Sequence, residues 1–169
     1  MIACDSRNAS VKVVDLKLGR IESGFRLSSN PWDVCLLPEH HAAVTLPDEG
    51  KIQILKTKEN IALVTSIKTR ESCRGICFWE NKFVLTFPDG TLQMIDLKGK
   101  VIQEVKTDEF KQQVFGWPGY VTIIGKEPVL FVTNGDMSSL TILDLQFNIL
   151  ATIKNELSIF KSVCYCTSR

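Results

Sequence analysis

The sequence predicts an all-β fold. Helical periodicity is almost absent along its 169 residues, short runs of β-branched and aromatic residues recur between Pro, Gly, Asp and Asn, and one strand pattern returns four times. The copies are Val11–Leu16, Lys51–Lys56, Thr91–Leu97 and Ser139–Leu145. With Asp15, Lys56, Asp96 and Asp144 as equivalents, the spacings are 41, 40 and 48 residues, a mean of 43. A period of that size with several short strands per unit predicts a β-propeller of four-stranded antiparallel blades.

The other strands fall around this anchor. Trp32–Leu37, Arg74–Trp79 and Tyr120–Ile124 read as first strands, and Ala42–Leu46, Lys82–Phe87 and Val129–Thr133 as second strands. Each second strand leads into a turn, Pro47–Gly50, Pro88–Gly90 or Asn134–Asp136, where Gly and Asn supply the positive φ a tight hairpin demands and Asp can bond its own backbone. Ile61–Ile67, Val101–Lys106 and Ile149–Lys154 close the units. The organisation expected is one propeller region over 1–169: a partial blade at 1–27, blades at 32–68, 73–107 and 120–154, and at 159–166 the first strand of a further or closing blade. That is about four blade equivalents, whereas a six-bladed ring would need about 258 residues, so a partial propeller is expected.

With 20 Lys+Arg against 19 Asp+Glu, the chain has no global field for nucleic acid or an anionic membrane, and either would need a local patch. No apolar run approaches the roughly 18 to 20 residues of a membrane helix, and Met1-Ile2-Ala3-Cys4 meets Asp5 and Arg7 at once, unlike a secretory signal. A cytoplasmic setting without a membrane partner is therefore expected, with the six cysteines as reduced thiols and the Asn8-Ala9-Ser10 sequon a chance match.

Cys73-x3-Cys77 and Cys164-x-Cys166 invite a zinc reading, but Cys35, Cys77 and Cys164 occupy one position of the repeat and read as a small buried residue. His40 and His41 sit together in a polar turn. No nucleophile elbow, phosphate loop or His–carboxylate pairing is present, so no catalytic, cofactor-binding or metal-binding residue, no cofactor and no small-molecule substrate is predicted. Asp33 is the one carboxylate assigned to an inner strand, its equivalents being Gly75 and Ser162. It anchors the rival reading, a small lactonase- or esterase-like propeller hydrolase with a metal at the central channel. Asp15, Asp96 and Asp144 end their strands and read as acceptors for turn amides.

Binding suits the architecture better, because loops at one end of a propeller form a wide surface on a rigid support. The blade-to-blade connections carry Lys68, Arg70 and Arg74, then Lys106, Lys111 and Trp117, then Lys154 and Lys161. The repeat and the lack of a catalytic set point to a protein partner held by these loops, and interleaved basic and aromatic groups could also grip phosphates and stack bases of RNA. Glu71, Asp108, Glu109 and Glu156 in the same loops, with Asp48, Glu49, Asp89 and Asp136 at the same end, make a mixed solvated rim the plain alternative. Arg70, Arg74, Lys111 and Trp117 are the predicted partner-binding residues. Trp32, Trp79 and Trp117 are read first as packing.

Pro31-Trp32-Asp33-Val34-Cys35, Ala43–Pro47, Lys51–Ile54, Arg74-Gly75-Ile76-Cys77, Pro88-Asp89-Gly90 and the stretch from Ala3 to Asp15 resemble the NHL-type propeller at the C-terminal end of tripartite-motif proteins, especially invertebrate and molluscan members. The resemblance implies a substrate- or partner-recognition module in a ubiquitination pathway. Ligase activity in such families belongs to RING, B-box and coiled-coil segments, whose Cys/His arrays and heptads this sequence lacks, as it lacks the literal Asn-His-Leu signature.

Overall fold

The structure is a computed structural model that describes residues 1–107, 112–136 and 138–154. The chain has an all-β, β-propeller fold whose antiparallel sheets each meander in sequence order. It divides into two compact units, Met1–Cys73 and the chain from Arg74 onward. The predicted strand at 159–166 lies outside the described residues, as do Lys111, Cys164 and Cys166.

In the first unit, β1 (Ile2–Asp5), β2 (Ser10–Asp15) and β3 (Arg20–Arg26) form a three-stranded sheet, and β4 (Val34–Leu37), β5 (His41–Leu46), β6 (Lys51–Lys56) and β7 (Ala62–Lys68) a four-stranded one. Val11, Leu27, Val34, Ala42, Val44, Leu46, Leu55 and Ile61 make its core. The alternation that buries them leaves β3 and β7 largely solvated. A 3-10 turn at Pro47–Glu49 joins β5 to β6, and Glu49 there is paired with Lys51 at 2.5 Å and accepts the Ser28 hydroxyl at 2.6 Å.

Lys51, then Ser28 and Ser29, hold the Glu49 carboxyl down at about 2 from an ordinary 4.5. A carboxyl depressed by folding adds stability above its unfolded pKa and loses it as pH falls through the folded one. The stability difference between the native chain and Glu49→Gln is therefore expected to shrink between about pH 4.5 and 2. Thermal melts across that range check it, and a difference that is flat with pH overturns it.

In the second unit, β8 (Ile76–Trp79), β9 (Lys82–Thr86), β10 (Leu92–Asp96) and β11 (Val101–Val105) form one sheet, and β12 (Pro118–Ile124), β13 (Val129–Asn134), β14 (Ser139–Leu143) and β15 (Ile149–Lys154) another. The core gathers Cys77, Val84, Leu92, Met94, Phe115, Val121, Leu130, Val132, Leu143 and Phe147. Phe78 and Phe83 pack with ring centroids 5.2 Å apart.

Three devices recur with the repeat. The first is the Asp at the end of the next-to-last strand of its sheet. Asp15 accepts the N–H groups of Lys17 and Leu18, Asp96 those of Lys98 and Lys100, and Asp144 those of Gln146 and Asn148, at 2.8 to 3.1 Å. These are the turn acceptors the sequence predicts. The Lys100 N–H, then that of Lys98, hold the Asp96 carboxyl below its ordinary range. For Asp144 partial desolvation pushes upward, but bonds from Asn148 and Gln146 outweigh it. Within these turns Gly99 has φ +84° and Phe147 takes the matching left-handed conformation at φ +64°. A phenylalanine is strained there, and its ring, 5% exposed, is compensated by burial in the core.

The second device is a buried threonine. The hydroxyls of Thr45, Thr86 and Thr133 accept the N–H groups of Asp33, Gly75 and Tyr120 at 3.1, 2.9 and 3.1 Å. Beside them Trp32 N–H bonds Thr45 O at 3.1 Å and Arg74 N–H bonds Thr86 O at 2.8 Å. At Thr45 and Thr86, side chain and backbone of one residue thus engage the residues just before β4 and β8. Regular pairing begins only at Val34 and Ile76, two residues later than the sequence reading places the strands.

The third device is a bulge between the last two strands of each of the four sheets. The register shifts at Val13/Val14, Ile54/Leu55, Met94/Ile95 and Ile142/Leu143. Glu22, Val64, Ile102 and Leu150 are the residues left over on the outer strands.

Candidate interaction surface

Of the four predicted partner-binding residues, the structure brings Arg74 and Trp117 together within the second unit. The Arg74 guanidinium carbon stands 4.1 Å from the centroid of the Trp117 ring, a cation–π stack. Arg74 is half-buried, and desolvation lowers the pKa of its guanidinium, which stays cationic. Trp117 is 40% exposed, so the indole that the sequence reading treats first as packing also faces solvent. Arg70 is exposed in the first unit, on the connection that follows β7, and Lys111 lies outside the described residues.

The segment carrying Trp117 is anchored at several points. Phe115 is fully buried in the second unit's core. Val114 N–H bonds Lys106 O at 3.1 Å, and the Gln113 amide donates to Asp89 O at 3.2 Å. Lys106 pairs with Asp89 at 3.2 Å, an exposed and hence weak ion pair. Gly135 N–H bonds Trp117 O at 3.0 Å, and a Cβ on Gly135 would stand 3.0 Å from Cε3 of the indole. A larger residue at position 135 would press on the ring that glycine lets settle there. The result is a well-anchored patch: a stacked Arg–Trp pair with the Asp89–Lys106 pair, Gln113 and the exposed Asp136 on the elements around it. Both signs of charge are present, as the sequence predicts.

Sequence reasoning missed Gln113 and Gly135 as supports and Tyr120 as the third equivalent of Asp33. The similar spacing of Thr45, Thr86 and Thr133 from the residues they bond, 12, 11 and 13 positions, is the signal that reveals the last.

Asp33 is buried and accepts the Val34 N–H at 2.8 Å while its own N–H bonds Thr45. Its carboxylate therefore shapes the start of β4. Among the described residues no three His, Cys, Asp or Glu side chains are grouped so as to hold a metal. Cys35 and Cys77 are buried at matching places on β4 and β8. Cys73 is fully buried, and burial raises its thiol pKa, so it is a poor nucleophile. Among the described residues no helix is long and apolar enough to cross a membrane.

Neither a protein-family model nor a curated protein matches the sequence. Solved structures do match in fold. A glutaminyl cyclase from Myxococcus xanthus aligns with a TM-score of 0.73 at 12% identity, over 90% of this chain and 65% of its own. A streptogramin B lyase aligns at 0.68 and 15% identity, over 92% and 51%. The WD40 β-propeller domain of Doa1 aligns at 0.69 and 12% identity, over 92% and 50%. The chain spans half to about two thirds of the length of these structures. At such identities the likeness establishes the β-propeller fold.

Proposed function

We propose that this chain is a non-catalytic propeller recognition scaffold that binds a protein partner in the cytoplasm through the Arg74–Trp117 end of its second unit. The observation that carries the reading is the stack itself: an arginine and a half-exposed tryptophan, the residue types that dominate interface energetics, held rigid on a core-anchored segment. A pre-ordered pair loses little entropy on binding. RNA is the weaker ligand, because Arg74 already covers one face of the ring on which a base would stack, and Asp89 and Asp136 lie on the neighbouring turns. The resemblance of Pro31–Cys35 and its repeats to tripartite-motif propellers supports the finer reading of a substrate-recognition end, with ligase chemistry belonging to other segments. The cyclase and lyase among the structural neighbours keep the hydrolase reading as the rival.

Quantitative capture of interacting proteins by the full chain, compared with Arg74→Ala and Trp117→Ala, tests the assignment. Loss of a captured protein by about tenfold or more in both variants is expected. Equal capture by all three overturns it. Capture abolished by ribonuclease and falling steeply with salt would replace the protein with RNA. Turnover of a lactone or ester that Asp33→Asn removes would replace both.

A further inference from the structure

The geometry points to Asn134–Gly135 as a deamidation site that the fold keeps closed; we infer that docking of the Trp117 segment is the gate. This inference is independent of the partner reading. It starts from chemistry the sequence carries: an asparagine followed by glycine has no side chain shielding the next amide nitrogen. In the reaction the Gly135 nitrogen loses its proton and attacks Cγ of Asn134. The new N–C bond forms as Cγ–Nδ2 breaks and ammonia leaves. One water then adds to either carbonyl of the cyclic imide and the C–N bond at that carbon breaks, giving aspartate when Cγ is attacked and isoaspartate when the backbone carbonyl is. Water is the one co-reactant, and nothing is oxidised or reduced.

Three features oppose each stage. The Gly135 N–H is engaged with Trp117 O at 3.0 Å, so the proton that must leave is held. Asn134 is the last residue of β13, paired with Pro118 on one side and Ser139 on the other, and extended backbone carries the following nitrogen away from its own side chain. The amide is 1% exposed; Nδ2 donates to Thr141 Oγ1 at 3.4 Å, while Oδ1 has no hydrogen-bond donor among the described residues, so charge growing on that oxygen during attack is unstabilised. The first feature depends on Trp117 directly, and the second draws one of its two pairings from the neighbour Pro118. Opening this one segment therefore frees the Gly135 nitrogen and removes one side of the pairing that holds Asn134 extended.

Once formed, the product does not fit. Aspartate at 134 places a carboxylate where the buried amide donated to Thr141, and isoaspartate lengthens the backbone where β13 pairs with both neighbours. The conversion thus acts as an irreversible record of how often the segment opens.

Peptide mapping by mass spectrometry, after incubation of the full chain in mildly alkaline buffer at body temperature, tests this. Native chain is expected to retain the amide at Asn134, and urea-unfolded chain to yield aspartate and isoaspartate there. Trp117→Ala, shown folded by circular dichroism, should convert faster than native by about tenfold or more, in proportion to its open population. If that variant fails to fold, Arg74→Ala, which removes only the cation from the ring, should convert faster than native by a smaller factor. Native chain converting as fast as unfolded chain overturns the proposal, as does a folded variant converting no faster than native.

Discussion

Phe115→Ala is expected to destabilise the second unit by about 3–5 kcal/mol, the range for removing a fully buried phenylalanine. The ring belongs to the core of that unit yet sits only two residues from Trp117, on a connection outside the named strands. Deleting it leaves a cavity and also unmoors the segment that seats the indole on Gly135. Urea unfolding should show a lower midpoint, and indole fluorescence should report a more solvated Trp117 under native conditions. A loss below about 1 kcal/mol would place the ring's contribution elsewhere than in core packing.

Substitution of Gly75 should be as disruptive for a different reason. A Cβ there would stand 2.8 Å from Gly119 O, 2.8 Å from Tyr120 Cα and 2.9 Å from Thr86 Oγ1. Two of these atoms are backbone, and the third is the hydroxyl that accepts the Gly75 N–H. No rotamer change relieves such a clash. Gly75→Ala should cost roughly 1–3 kcal/mol and Gly75→Val more. Gly24→Ala is the control, since a Cβ on that β3 residue meets only Val11 O at 3.6 Å and Lys12 Cγ at 3.9 Å. It should be neutral or slightly stabilising. Thermal melts that rank the two sites equally would show that the close approach at Gly75 relaxes.

The Asp-terminated strands and Gly/Asn turns made the blades legible, because each combines a period-two apolar pattern with turn chemistry at a fixed offset. Strand ends were less legible: the Thr45 and Thr86 hydroxyls displace the first inner-strand pairs, an effect of tertiary hydrogen bonding that no local pattern carries. Of the candidate surface, residue types were readable and partnership was not. Arg74 and Trp117 lie 43 positions apart in chain order and meet only because their sheets are neighbours in one unit. Chemistry at Asn134–Gly135 was hidden in the same way, since the sequence marks a turn there and only the docked segment shows what holds it shut.

The four recurring bulges bear on how the protein behaves when crowded. Outer strands carry exposed apolar side chains, among them Ile21, Leu63, Val64, Val101, Ile102, Ile149 and Leu150. A straight strand so decorated would template a neighbour's strand. Each of these edges is instead broken within its first three residues by one surplus residue, so a straight incoming chain in step with the strand beyond the bulge is out of step with the residues before it. The backbone rhythm of the repeat thus opposes edge pairing where the side chains of the outer strands are apolar.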